Sequence, residues 1–136
     1  MQNLMTVSAT CRGGRDGRVH LDAGGAAFAM SLPKELGGAG DGMNPEQLFA
    51  MGYASCFGQA VLALAKQHEV DGARARVNVA VTLGKDEVSF ALAVAITVTV
   101  PGADREKVAA LAEAAHQICP YSRATRNNVP VTISVG

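Results

Sequence analysis

Asn44-Pro45-Glu46-Gln47-Leu48-Phe49-Ala50-Met51-Gly52-Tyr53-Ala54-Ser55-Cys56-Phe57-Gly58-Gln59-Ala60-Val61-Leu62-Ala63-Leu64-Ala65 is the stretch that decides the fold. Asn44 is a good N-cap, Pro45 suits the first helical turn, and Gln47 completes a capping box. The spacing predicts a helix to about His68, stopped by Asp71-Gly72. Residues 47–65 carry no charge. A run of that length approaches a bilayer span. Gln47, Ser55, Gln59 and two glycines interrupt it, however, and strand patterns flank it. A helix buried on all sides in a globular core is the better reading.

Upstream, Met5, Val7, Ala9 and Cys11 alternate with Thr6, Ser8 and Thr10, the pattern of a half-buried strand that puts Cys11 in the core. A charged glycine turn follows at 13–18, then short strands at 19–21 and 26–32, then a loop at 37–42 with four glycines. Downstream, residues 75–83 and 88–100 alternate and pair as a hairpin whose second face is small: Ser89, Ala91, Ala93, Ala95, Thr97 and Thr99. Asp104 caps a second helix through Ile118, with Val108, Leu111, Ala112 and Ala115 on one face and Pro120 ending it. Val129, Val131, Ile133 and Val135 form a last strand. Strands, helix, hairpin, helix and strand read as an α+β fold, and 136 residues suit one domain, 1–136.

Composition narrows the function classes. Hydrophobic residues make up 49% of the chain, so a core can form. Twelve basic and twelve acidic residues balance, which lacks the basic excess of nucleic-acid binders. The N-terminus has no signal-peptide pattern, so a cytoplasmic location is expected, with no membrane partner. Three cysteines, Cys11, Cys56 and Cys119, are too few and too odd in number for a structural disulfide framework.

The thiols are the candidate chemistry. Cys56 sits in the uncharged helix, where an apolar site raises a thiol's pKa and leaves it inert. No Lys or Arg lies within nine residues, so an activating cation must come from a distant segment. Cys119 follows a helix C-terminus, which disfavours a thiolate. If the two work together, Cys56 is the better attacker and Cys119 the better resolving thiol. His116 has no partner set for a metal, and a solvent-facing or locally bonded ring is expected. Glu46 is explained as a first-turn dipole charge, and Arg15 as a turn residue. Nothing at 13–17 matches a Walker loop.

Residues 44–57 resemble the active-site helix of the OsmC/Ohr family. The run Ala115-His116-Gln117-Ile118-Cys119-Pro120-Tyr121-Ser122-Arg123-Ala124-Thr125-Arg126 resembles the second-cysteine motif of its Ohr branch. Residues 13–18 and 36–38 match that branch too. Arg123, Asn127 and Pro130 depart from the expected last motif, and Cys11 is extra; none of these touches the roles below. The resemblance implies an OsmC-like fold, antiparallel sheets around a buried central helix, in an intertwined homodimer. It implies a thiol-dependent peroxidase reducing organic hydroperoxides to alcohols, reset by dihydrolipoamide or a lipoylated protein, with no metal, haem or flavin.

Carried over by motif, Cys56 matches the peroxidatic cysteine, Cys119 the resolving one, Arg15 the thiolate-stabilising arginine and Glu46 the carboxylate holding it. Met43, Phe49, Met51 and Phe57 are the expected apolar wall for the substrate. Glu46 and Cys56 are ten residues apart, about 15 Å of helical rise, too far for one guanidinium to bridge. Either the helix breaks near Gly52 or Arg15 and Glu46 of one chain serve Cys56 of another. Other readings stay open: an OsmC-like peroxidase of different preference, a non-catalytic binder of hydrophobic ligands, or a structural oligomer with incidental thiols.

Overall fold

A computed structural model describes all 136 residues. They form two compact units, Met1–Leu48 and Phe49–Gly136, within the span that the sequence suggests as one domain. Helix α1 (Pro45–Leu64) runs through the boundary.

The first unit is an antiparallel meander of β1 (Ala9–Arg12), β2 (Arg18–Leu21) and β3 (Ala27–Ala29). Cys11 lies opposite Val19, and Val19 opposite Phe28. The β1–β2 connection is a single 3-10 turn, Gly14–Asp16. It closes only because residue 17 is glycine: a Cβ there would collide with the Arg12 carbonyl. The Asp16 carboxylate accepts the Leu32 amide at 2.9 Å, which ties the turn to the segment leaving β3. Met30 bridges Met43, and the Met43 N–H donates to the Ala29 carbonyl at 2.9 Å. The glycine loop is thereby folded back, so that Asn44 starts α1 beside the sheet.

Two expectations need correction here. The first strand is shorter than the alternation over 5–11 suggests, and all four of its residues are exposed. Cys11 is therefore a surface thiol and not a core residue. Alternation reports that a strand has an apolar face; it does not say that the same chain covers it. The stretch 26–32 likewise forms only three residues of strand plus the Met30 bridge.

In the second unit, β4 (Arg76–Lys85) and β5 (Phe90–Thr99) form the expected hairpin. Asp86 makes its turn by accepting the Val88 and Ser89 amides at 2.8 and 2.9 Å. Val88 belongs to that turn, not to the strand. The last strand, β6 (Val131–Val135), lies parallel to β5, so this sheet is mixed rather than purely antiparallel. A parallel neighbour needs a crossover, and α2 (Arg105–Ile118) with α3 (Pro120–Thr125) supplies it. Asp104 caps α2, accepting the Glu106 and Lys107 amides at 2.9 and 3.0 Å.

Val108, Leu111, Ala112 and Ala115 of α2 pack with Ile96 and Val98 of β5 and with Tyr53, Phe57 and Val61 of α1. Truncating fully buried Leu111 to Ala would cost about 2–5 kcal/mol.

Helix α1 keeps its capping box: the Asn44 side chain accepts the Gln47 amide and the Gln47 side chain accepts the Asn44 amide, each at 2.9 Å. With its 3-10 extension to His68 it is long and apolar enough to cross a membrane, but its inner face belongs to the core. It is not buried on all sides. Met51 and Leu62 are half exposed, at 51% and 54%, so one chain covers only one face of this helix.

Candidate active site

A charged pair lies in the first unit. Glu46 sits in the first turn of α1, and the Asn44–Gln47 capping box leaves its carboxylate free. Arg15, on the 3-10 turn, grips it with both guanidinium arms: Nη1 donates to Oε2 at 2.9 Å and Nη2 to Oε1 at 2.7 Å. This fork-to-fork geometry fixes orientation as well as distance. The Arg15 hydrogen bonds hold the Glu46 carboxyl below its usual range against an opposing effect of burial, and they raise Arg15 further. The carboxylate is mostly covered while the guanidinium remains 38% exposed, so one side of the arginine is open.

A thiol pair lies in the second unit. Cys56, half-buried on α1, and Cys119, fully buried, hold their sulfurs 3.6 Å apart. A disulfide needs about 2.05 Å, so a closure of about 1.5 Å joins them. Burial pushes the Cys56 thiol above its ordinary range. The Tyr121 backbone amide pulls it back, and neighbouring Cys119 adds to the rise.

A family model described as "OsmC-like protein" matches residues 38–134. The organic hydroperoxide resistance protein of Xanthomonas axonopodis pv. citri is 42% identical over 134 residues, covering 97% of this chain and 94% of that one. The chain belongs to the Ohr branch of the OsmC/Ohr family. Among solved structures, OhrB of Bacillus subtilis has 42% identity and a TM-score of 0.88, with coverage of 98% and 100%. A Vibrio cholerae protein, described as carrying captopril in one of its active sites, has 40% identity and a TM-score of 0.91, with coverage of 99% and 94%.

The residues expected to wall the substrate do not all stand on a surface. Phe57 is fully buried, its ring 6.5 Å from both Tyr53 and His116, so it is a core residue and not a wall. The i, i+4 spacing from Tyr53 puts it on the inward face of α1, which sequence alone did not distinguish. Phe49 is half-buried and stacks on Tyr121 at 6.2 Å, and Met51 points outward. Met43 holds the loop bridge in the first unit. A cleft of about 700 Å³ lies by Lys85, Phe90 and Pro130 and borders neither cysteine.

His116 is half-buried, and its Nδ1 is covered without a partner. Burial lowers its pKa first, with Arg126 assisting and Glu113 opposing.

Pro120 does not merely end α2. It is the first residue of α3, and Cys119 is the extended residue between the two helices. This short helix carries site residues that the sequence reading missed. The Tyr53 hydroxyl, on α1, lies 2.9 Å from Ser122 Oγ and 3.2 Å from Thr125 Oγ1, all three side chains being buried. The Tyr121 ring lies across Gly52, where a Cβ would come within 3.1 Å of its hydroxyl. The missed signal was proline at a helix's first position, where its absent N–H costs nothing.

Proposed function

We propose that this protein is a thiol-dependent peroxidase that reduces organic hydroperoxides to alcohols. The observation that carries the reading is the 3.6 Å sulfur–sulfur approach of Cys56 and Cys119 in a chain whose relatives are named organic hydroperoxide resistance proteins. The Cys56 thiolate attacks the terminal peroxide oxygen. The O–O bond breaks, the alkoxide leaves as the alcohol after taking a proton, and Cys56 becomes a sulfenic acid. The Cys119 thiol then displaces water from that sulfur, giving a Cys56–Cys119 disulfide. An external dithiol, of the dihydrolipoamide or lipoylated-protein class, restores both thiols by exchange.

Attack needs a thiolate, and burial holds Cys56 above the ordinary thiol range. Arg15 is the cation of this reading and Glu46 its orienting partner. Helix α1 runs without interruption through Gly52, which supports the two-chain arrangement over a helix break. Ten residues of helix rise about 15 Å. Arg15 and Glu46 of one protomer therefore serve Cys56 and Cys119 of its partner in a homodimer, twice by symmetry. The exposed apolar side chains of α1, Met51 and Leu62, favour such a covering copy.

The test mixes reduced protein with cumene hydroperoxide, followed by thiol titration and intact mass. Loss of two thiols with a mass about 2 Da lower supports the peroxidase. Unchanged thiols overturn it in favour of a hydrophobic-ligand binder.

A further inference from the structure

Tyr53 is a fully buried residue that the peroxidase chemistry does not use. It lies three residues before Cys56, one turn along α1. Its hydroxyl joins Ser122 at 2.9 Å and Thr125 at 3.2 Å, and Thr125 also donates to the Ser122 carbonyl at 3.1 Å. Both partners belong to α3, whose first amide-bearing turn is anchored on Cys119: the Arg123 amide donates to the Cys119 carbonyl at 2.9 Å. The same segment is held a second time by Tyr121, seated over Gly52, stacked on Phe49 at 6.2 Å and tilted against Tyr53 at 5.6 Å. Helix α1 thus carries the peroxidatic sulfur and the anchor for the segment bearing the resolving sulfur.

We infer that Tyr53 is a positioning residue: its hydroxyl pins α3 to α1 and so keeps Cys119 within disulfide reach of Cys56. A three-hydroxyl knot in a dry site is directional, whereas the aromatic contacts around it tolerate sliding. Without the Tyr53 oxygen, Ser122 and Thr125 lose their shared partner, and α3 can drift. The 3.6 Å gap then becomes an average over longer ones. Attack of Cys56 on peroxide is unaffected, because it needs only the first sulfur. Condensation with Cys119 slows. A second hydroperoxide molecule then competes for the sulfenic acid, transferring one oxygen to give a sulfinic acid and a second alcohol.

The inference rests on the peroxidase reading for its chemical purpose, but its direct measurement needs no hydroperoxide. In glutathione buffers, the Cys56–Cys119 dithiol plus oxidised glutathione exchanges to the disulfide plus two reduced glutathiones. The equilibrium gives the effective concentration of one thiol toward the other. Tyr53→Phe is expected to lower it about tenfold, the scale of one lost buried hydrogen bond. Thr125→Val, which removes one leg of the knot, should lower it less, and it serves alone if Tyr53→Phe does not fold. Val108→Ala, a core truncation away from the thiols, should leave it at the wild-type value.

On cumene hydroperoxide, Tyr53→Phe should consume the first equivalent at the wild-type rate yet show a several-fold larger fraction about 32 Da heavier. An unchanged effective concentration in Tyr53→Phe and Thr125→Val overturns the inference, as does an equal fall in Val108→Ala. A wild-type disulfide that forms in glutathione but not with hydroperoxide defeats the peroxidase reading alone.

Discussion

Arg15 with Glu46 and Cys56 with Cys119 are two pairs of opposite character. The first is fully charged, bidentate and partly open to water, set on a turn between short exposed strands. The second is covered by aromatic and aliphatic side chains, and burial pushes its Cys56 thiol up. Each pair lacks what the other has. The thiols have position and dryness but no counter-charge; the arginine has charge and orientation but no nucleophile. Each pair folds with its own needs met, since a lone guanidinium in the core or a lone thiolate would be costly.

The largest effects should come from the sulfurs. Cys56→Ser should abolish peroxidase turnover in a coupled dithiol-oxidation assay. Cys119→Ser should still consume one equivalent of hydroperoxide and then accumulate over-oxidised Cys56, visible by intact mass. Cys11→Ser, at the surface, should change neither. Full turnover in Cys56→Ser would remove the nucleophile from the account.

Next in size is the charged pair. Arg15→Ala should lower kcat/KM about 10²- to 10³-fold, the scale for losing a preorganised charge aimed at a reacting anion. Glu46→Gln should cost only about tenfold, because it loosens the arginine without removing it. A Glu46→Gln loss equal to that of Arg15→Ala would mean that the carboxylate acts directly on the chemistry.

Substrate preference sharpens the contrast between dry and wet halves. A hydroperoxide with an alkyl or aryl group buries apolar surface that hydrogen peroxide lacks, and each buried methylene is worth about 0.8 kcal/mol. Cumene hydroperoxide should exceed hydrogen peroxide in kcat/KM by orders of magnitude. Met51→Ser should narrow that ratio, and Phe57→Leu, a core change, should act on stability instead. Equal kcat/KM values for the two peroxides would remove the apolar wall from the account.

The pattern of what was legible follows from the same division. Local rules read the α1 capping box, the Asp104 cap and the β4–β5 alternation, because those signals sit within a few residues of the structure they specify. The pairing of Arg15 with Glu46, 31 residues apart, came from motif resemblance and not from spacing. Burial was misjudged where it depends on what lies opposite: Cys11 and the outer face of α1 are apolar yet exposed, while Phe57 is core. The parallel β5–β6 pairing has no local signal, and Pro120 marks both the stop of α2 and the start of α3.

The smallest effect is on acid stability. Folding lowers the Glu46 pKa, so the pair's contribution is complete above the unfolded carboxyl value of about 4.3 and is lost as pH falls through the folded one. Folding also lowers His116, so the unfolded chain binds that proton first and stability declines as pH drops below about 6.5. Denaturant midpoints across a pH series should show both slopes. His116→Gln should flatten the upper one and Glu46→Gln the lower.

The most direct test of a site shared between chains is complementation. Arg15→Ala and Cys56→Ser proteins are co-refolded, heterodimers are isolated by distinct tags, and hydroperoxide turnover is measured. In a heterodimer one site carries both lesions and the other neither, so about half of the wild-type activity should return from two inactive parents. A purified heterodimer that stays as inactive as its parents would contradict the account, because each Cys56 would then answer to the Arg15 of its own chain.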